Sequence, residues 1–188
     1  MKSEIVYRHA KFGAFSGLVC GIILYVIFFG IDAQLQLPPG TFYKMIGLLI
    51  GLHDSNAIVF GIISHLVTAS IIGATFSIGS LIHPSLRISS LPKSILAGSV
   101  TGLEVFAIIF MPLTIYVMIP AVTEYANSET GLVSLIDKQA AQSLTNQIDI
   151  IMWSALIFHI GFGFMLGVIL NLLLYPRYKF TVKSDVRT

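Results

Sequence analysis

Two histidines and one glutamate are placed to do chemistry within an otherwise apolar sequence. Gly61, His65, Ala69 and Gly73 fall within AIVFGIISHLVTASIIGATFSIG, and Ala155, His159, Gly163 and Gly167 within IMWSALIFHIGFGFMLGVILNLL. Both read small-xxx-His-xxx-small-xxx-Gly, and a spacing of four lines each set along one helix face. Three uses suit such a pair. Each imidazole can hydrogen-bond to a neighbouring helix, through Ser64, Thr68 or Ser154, as polar side chains do between membrane helices. Two neutral imidazoles at one depth can also ligate a b-type haem, provided that small neighbours admit the porphyrin. A copper or other metal site would need a third ligand, which only Glu104 could supply from within the apolar segments.

Glu104 is the only acid inside those segments. Insertion scales charge about 2.5–3.5 kcal/mol for Asp at a helix centre, so a glutamate there needs a proton or a partner and is expected to face a bundle interior. It could bond to Thr101 or Ser99, or join both histidines and water in a proton or cation relay. Helix rise sets it about 9 Å from the histidines along the axis, on the cytoplasmic side.

The elements that position these groups follow from hydropathy. Hydrophobic residues make up 55% of the chain, charged residues 11%, and mean hydropathy is +0.88. A soluble domain carries about 25% charged residues, so the expected solvent is a lipid bilayer. Crossing its roughly 30 Å hydrocarbon layer takes about 20 helical residues. Four segments suffice, at 12–31, 57–82, 94–119 and 150–175. Pro38, Pro39, Pro84, Pro92, Pro120 and Pro176 are expected to punctuate their ends, whereas Pro112 falls inside the third and should kink it. The first segment has a basic lead of Lys2, Arg8 and Lys11, but no A-x-A-like cleavage site, and reads as a retained span.

With four spans, the N-terminal region, the second loop (Arg87, Lys93) and the tail (Arg177, Lys179, Lys183, Arg187) lie on one side, leaving Lys44 and Lys138 opposite. The positive-inside rule puts both termini in the cytoplasm of a plasma-membrane, multi-pass protein. Asp32, Asp54, Glu124, Glu129, Asp137 and Asp149 then fall outside. FYKMIGLLIGL, with Thr41 as N-cap, predicts a short external helix too brief to cross, lying at the interface or packed on protein. Leu132, Ile136, Ala140, Leu144 and Ile148 predict an amphipathic one after the third span.

Gly13 and Gly17 match Gly98 and Gly102 as the histidine motifs match each other. The expected fold is an all-α membrane protein of four transmembrane helices from a duplicated two-span unit, 1–88 and 89–180, with a cytoplasmic tail at 181–188. Parallel repeats share an axis along the membrane normal, which sets His65 and His159 at matching depths, about 13 Å in. Gly13, Gly17, Gly21, Gly61, Gly73, Gly98, Gly102, Gly163 and Gly167 are candidate packing positions, since small residues let backbones approach in lipid. Asn171 reads as an interhelical bond. His9, His53 and His83 read as interfacial and solvated; Tyr43, Tyr116, Trp153, Tyr175 and Tyr178 read as interfacial anchors.

Cys20 has no partner for a disulfide, and CxxC and CxxCH are absent. Walker A, HExxH and GxSxG motifs are also absent, and no aromatic-interleaved basic groove points to nucleic acid. KFGAFSGLVCGIILYVIFFGID, LPPGTFYKMIGLLIGL and SHLVTASIIGATFSIG together resemble small four-span proteins of ammonia-oxidising archaea. The resemblance implies a prokaryotic plasma membrane and admits an accessory role beside a membrane monooxygenase or respiratory complex. The expected function is a non-enzymatic accessory or assembly subunit contacting other membrane subunits. Two alternatives stay open: a bis-histidine haem b electron-transfer subunit, and a small channel or transporter for a neutral solute or cation.

Overall fold

The computed structural model describes residues 2–82, 87–127 and 135–185, with side chains at 3–82, 87–124, 127, 138, 141–143 and 145–174. All regular structure among them is helical: α1 (Lys2–Gln34), α2 (Thr41–Leu48), α3 (Asp54–Gly79), α4 (Leu91–Val105), α5 (Met111–Leu113), α6 (Ile119–Asn127), α7 (Leu135–Asn146) and α8 (Ile148–Asp185). Four helices are long and apolar enough to cross a membrane: Ser3–Gln34, Asp54–Gly79, Leu91–Glu124 and Ile148–Leu174. Such a set suggests a multi-pass protein associated with a lipid bilayer. Large apolar side chains such as Val26, Ile63, Ile108 and Ile157 are exposed.

The third long helix differs from its expected form. Pro112 lies inside it, as the sequence places it, but the helix ladder changes before that proline and before Pro120. Phe106–Phe110 widens into a π-helical turn, α5 follows, and Thr114–Met118 is a second π-helical turn before α6. The wider ladder is explicit, since Met111 N–H donates to the Phe106 carbonyl and Ile119 N–H to the Thr114 carbonyl. Each π turn runs into a segment whose second residue is proline, Pro112 or Pro120. Proline has no N–H and its ring crowds the carbonyl four residues back, so a five-residue register relieves the clash without ending the helix. Pro120 therefore lies within the helix instead of closing it, and α8 likewise runs on past Pro176. Pro84 and His83 lie outside the described residues.

Contacts divide the chain into two compact units. The first comprises 1–22, 66–103 and 158–188. Its helices meet along two glycine seams. On one, a Cβ added at Gly13 would strike the Gly73 carbonyl oxygen and approach Ser77 Cβ at 2.7 Å, and one at Gly17 would strike the carbonyl of Ala69. On the other, Gly98 backs onto the Gly163 carbonyl, Gly102 onto that of His159, and Gly167 onto that of Ser94. Gly21 is buried as well.

The second unit comprises 23–65 and 104–157. Here α2 is buried at Thr41, Tyr43, Met45 and Gly47, an alternation that covers more than one side of the helix. It is a protein-packed helix. Gly47 admits the backbone of Ala57, and Met45 joins Met118, Val122 and Ala141 in an apolar cluster. In the second external connection, α7 occupies part of the predicted stretch; Leu132 lies outside the described residues, as do the side chains of Ile136, Ala140 and Leu144.

Candidate functional site

His65 belongs to an aromatic block in the second unit. Its ring meets that of Tyr43 with centroids 5.5 Å apart and that of Phe28 at 6.5 Å, both edge to face. Tyr43 is fully buried and also contacts Tyr25, Phe28, Phe29 and Phe42, with centroids 5.7–6.4 Å away. This corrects its expected role as an interfacial anchor: α2 folds inward and carries the phenol with it. Gly61, one turn before His65, permits this, because a Cβ there would strike the Tyr43 carbonyl oxygen. The Tyr43 hydroxyl is buried and has no hydrogen-bond partner. Burial pushes that phenol well above its ordinary range, and the neighbouring Asp32 and Tyr25 act in the same direction.

Asp32 organises the entry to α2. It is 2% exposed, and its Oδ2 accepts from the Gly40 N–H at 2.8 Å. The Thr41 N–H donates to the Pro38 carbonyl at 3.1 Å, beside the same carboxyl. A helix start leaves its first amides unsatisfied and favours an acidic acceptor, and Asp32 supplies one from the end of α1. Thr41 is not the N-cap: Gly40 holds that position at φ 84°, and Thr41 Oγ1 donates to the Pro38 carbonyl at 2.6 Å. The left-handed φ explains glycine at position 40. Asp32 is therefore an interior anchor and not an exposed loop acid.

In the first unit, each glycine seam ends in a buried polar pair. His9 Nδ1 lies 3.1 Å from the Ser77 carbonyl oxygen and 3.2 Å from Ser77 Oγ. Asn171 Nδ2 donates to Ser94 Oγ at 3.0 Å. His9 is 1% exposed, not solvated at an interface, and its place four residues before Gly13 and eight before Gly17 is the sequence signal that puts it on the buried face. His53 is exposed as expected, as are Tyr116 and Trp153; the side chains of Tyr175 and Tyr178 lie outside the described residues.

The chain matches no family model, no curated protein and no solved structure. Function therefore rests on the site. His159 is half-buried in the first unit, its carbonyl closed by Gly102 and the next small residue, Gly163, closed by Gly98. Beside His65, Gly61 is closed by Tyr43. The small residues expected to open a slot for a porphyrin instead admit neighbouring backbone. Among the described residues, no group of three or more His, Cys, Asp or Glu side chains could hold a metal.

Glu104 overturns the expectation that it faces inward. It is exposed, as are Ala107 and Ile108 one turn on, and neither Thr101 nor Ser99 bonds to it. Gly102 explains the orientation: it points at α8, and two further residues rotate the chain about 200° at 3.6 residues per turn. The carboxyl that composition directs inward is sent outward by helix geometry.

An apolar cleft of about 40 Å³ lies in the second unit beside the π turns. Phe42, Met45, Phe110, Met118 and Ile148 are among its walls, and its two hydroxyls are already turned to internal acceptors, Thr114 Oγ1 to Met118 Sδ at 4.0 Å and Thr145 Oγ1 to the Ala141 carbonyl at 2.9 Å. It offers packing without a directed polar contact.

Proposed function

We propose that this protein is a non-enzymatic, multi-pass subunit that assembles with other proteins in a prokaryotic plasma membrane, its termini cytoplasmic. The observation that carries this reading is Glu104: a carboxyl exposed within a helix apolar enough to cross a bilayer, with apolar side chains around it. A charge at that depth costs about 2.5–3.5 kcal/mol on insertion scales, and such residues face protein or a water-filled cavity. A neighbouring protein removes the exposure that this chain leaves.

The seams support a building role for the rest of the molecule. Backbone-to-backbone approach at Gly13, Gly17, Gly98 and Gly102 is how helices associate where lipid cancels the hydrophobic effect. The seams also favour a duplicated two-span origin: matching Gly13 with Gly98 and Gly73 with Gly167 matches His9 with Ser94 and Ser77 with Asn171, the two polar pairs. The archaeal resemblance fits a place beside a monooxygenase or respiratory complex. Purification from native membranes in mild detergent, followed by native mass spectrometry, tests the proposal. Stoichiometric recovery of another membrane protein is expected; a strictly solitary chain would refute it.

A further inference from the structure

We infer that the face around Glu104 receives a transmembrane helix of a different protein carrying lysine or arginine at the same depth. This rests on the subunit reading above and names the partner's chemistry. The face offers one carboxylate among apolar side chains, Ala107 and the 72%-exposed Ile108. A cation is its electrostatic complement, and lysine or arginine supplies one that also donates hydrogen bonds to both oxygens.

A second copy of the chain cannot provide that group. No lysine or arginine occurs in residues 12–34, 54–79, 94–124 or 148–174. The intramembrane histidines do not substitute: His65 sits among Tyr43 and Phe28, and both His65 and His159 are engaged in contacts. A lipid amine is too shallow, since about 20 Å of helix separates Glu104 from Leu91 at 1.5 Å per residue. A basic side chain on another apolar helix meets both the charge and the depth.

The test uses the full chain in its native membranes, with a photoreactive residue replacing Ile108. The adduct is expected on an apolar helix of another protein, within one turn of a lysine or arginine. Glu104→Gln, outward-facing and nearly isosteric, should cut adduct yield at least tenfold while the protein stays monodisperse. Glu104→Asp should retain most of it. Glu104→Lys combined with an acidic replacement of the partner's basic residue should restore it. An adduct on a second copy, or on a helix without a basic residue, overturns the inference. So does a yield unmoved by Glu104→Gln while the partner still co-purifies, which leaves the subunit reading standing. Absence of any protein adduct together with solitary purification sinks both.

Discussion

Alanine at Gly163 and alanine at Gly161 should shift stability in opposite senses, although the two sites lie two residues apart in α8. A Cβ at Gly163 would strike the Gly98 carbonyl oxygen, with Gly98 C at 2.7 Å and Gly102 N at 2.9 Å. All three atoms are backbone, so no side chain can rotate aside and α4 must move away from α8. A Cβ at Gly161 meets nothing within 4 Å. Both substitutions gain the same helix propensity, about 0.8–1.0 kcal/mol, so that contribution cancels in their difference. What remains is overpacking, about 1–3 kcal/mol. Gly163→Ala should therefore lose up to about 2 kcal/mol net, whereas Gly161→Ala should be neutral or gain up to about 1 kcal/mol. Unfolding by sodium dodecyl sulfate in mixed micelles, followed by the fluorescence of Trp153, the one tryptophan, measures both. Equal shifts, or a more stable Gly163→Ala, would refute the seam.

Three further outcomes follow from buried polar groups. Tyr43→Phe removes a hydroxyl with no partner and should stabilise the protein by up to about 1–3 kcal/mol, read from the same unfolding curves. Because burial raises the Tyr43 phenol, its contribution is complete below the ordinary tyrosine value near pH 10 and is lost as pH rises above it; the wild type should lose stability in that window more steeply than Tyr43→Phe. Asp32→Asn removes the charge from the acceptor of the Gly40 amide at the start of α2 and should cost about 0.5–2 kcal/mol, with faster hydrogen exchange at Gly40 and the first turn of α2 than at Ala69–Gly73; uniform exchange would contradict the anchoring role. Asn171→Leu leaves Ser94 Oγ without its donor and should cost about 0.6 kcal/mol in the same unfolding curves; an unchanged stability would show that the Ser94 bond contributes nothing.

The long helices were legible because apolar run length is a direct consequence of bilayer thickness and needs no tertiary information. Their ends were not. In one dimension Pro112 reads as a kink and Pro120 as punctuation, yet a π turn before each keeps the helix going, and nothing in the residue types announces that register change. The short helix after α1 was legible from LPPGT followed by an apolar run, but its cap was not: the acceptor is Asp32, eight residues upstream of Gly40, a contact made by folding and not by local sequence. The orientation of Glu104 lay within reach. Treating every intramembrane acid as inward overlooked that Gly98 and Gly102 already fix which way α4 faces.

The buried polar groups and Glu104 then separate by what answers them. Ser77 answers His9, Ser94 answers Asn171, the start of α2 answers Asp32, and the rings of Tyr43 and Phe28 meet His65. Each of these groups makes its contacts within one unit. Glu104 has no such answer among the described residues and lies where lipid would otherwise cover it. A carboxyl that contributed only folding stability would be inside, because outside it gains nothing and carries an insertion cost. Residues 12–34, 54–79, 94–124 and 148–174 hold no lysine or arginine, so under the proposed subunit reading the complementary charge is one that another protein would supply.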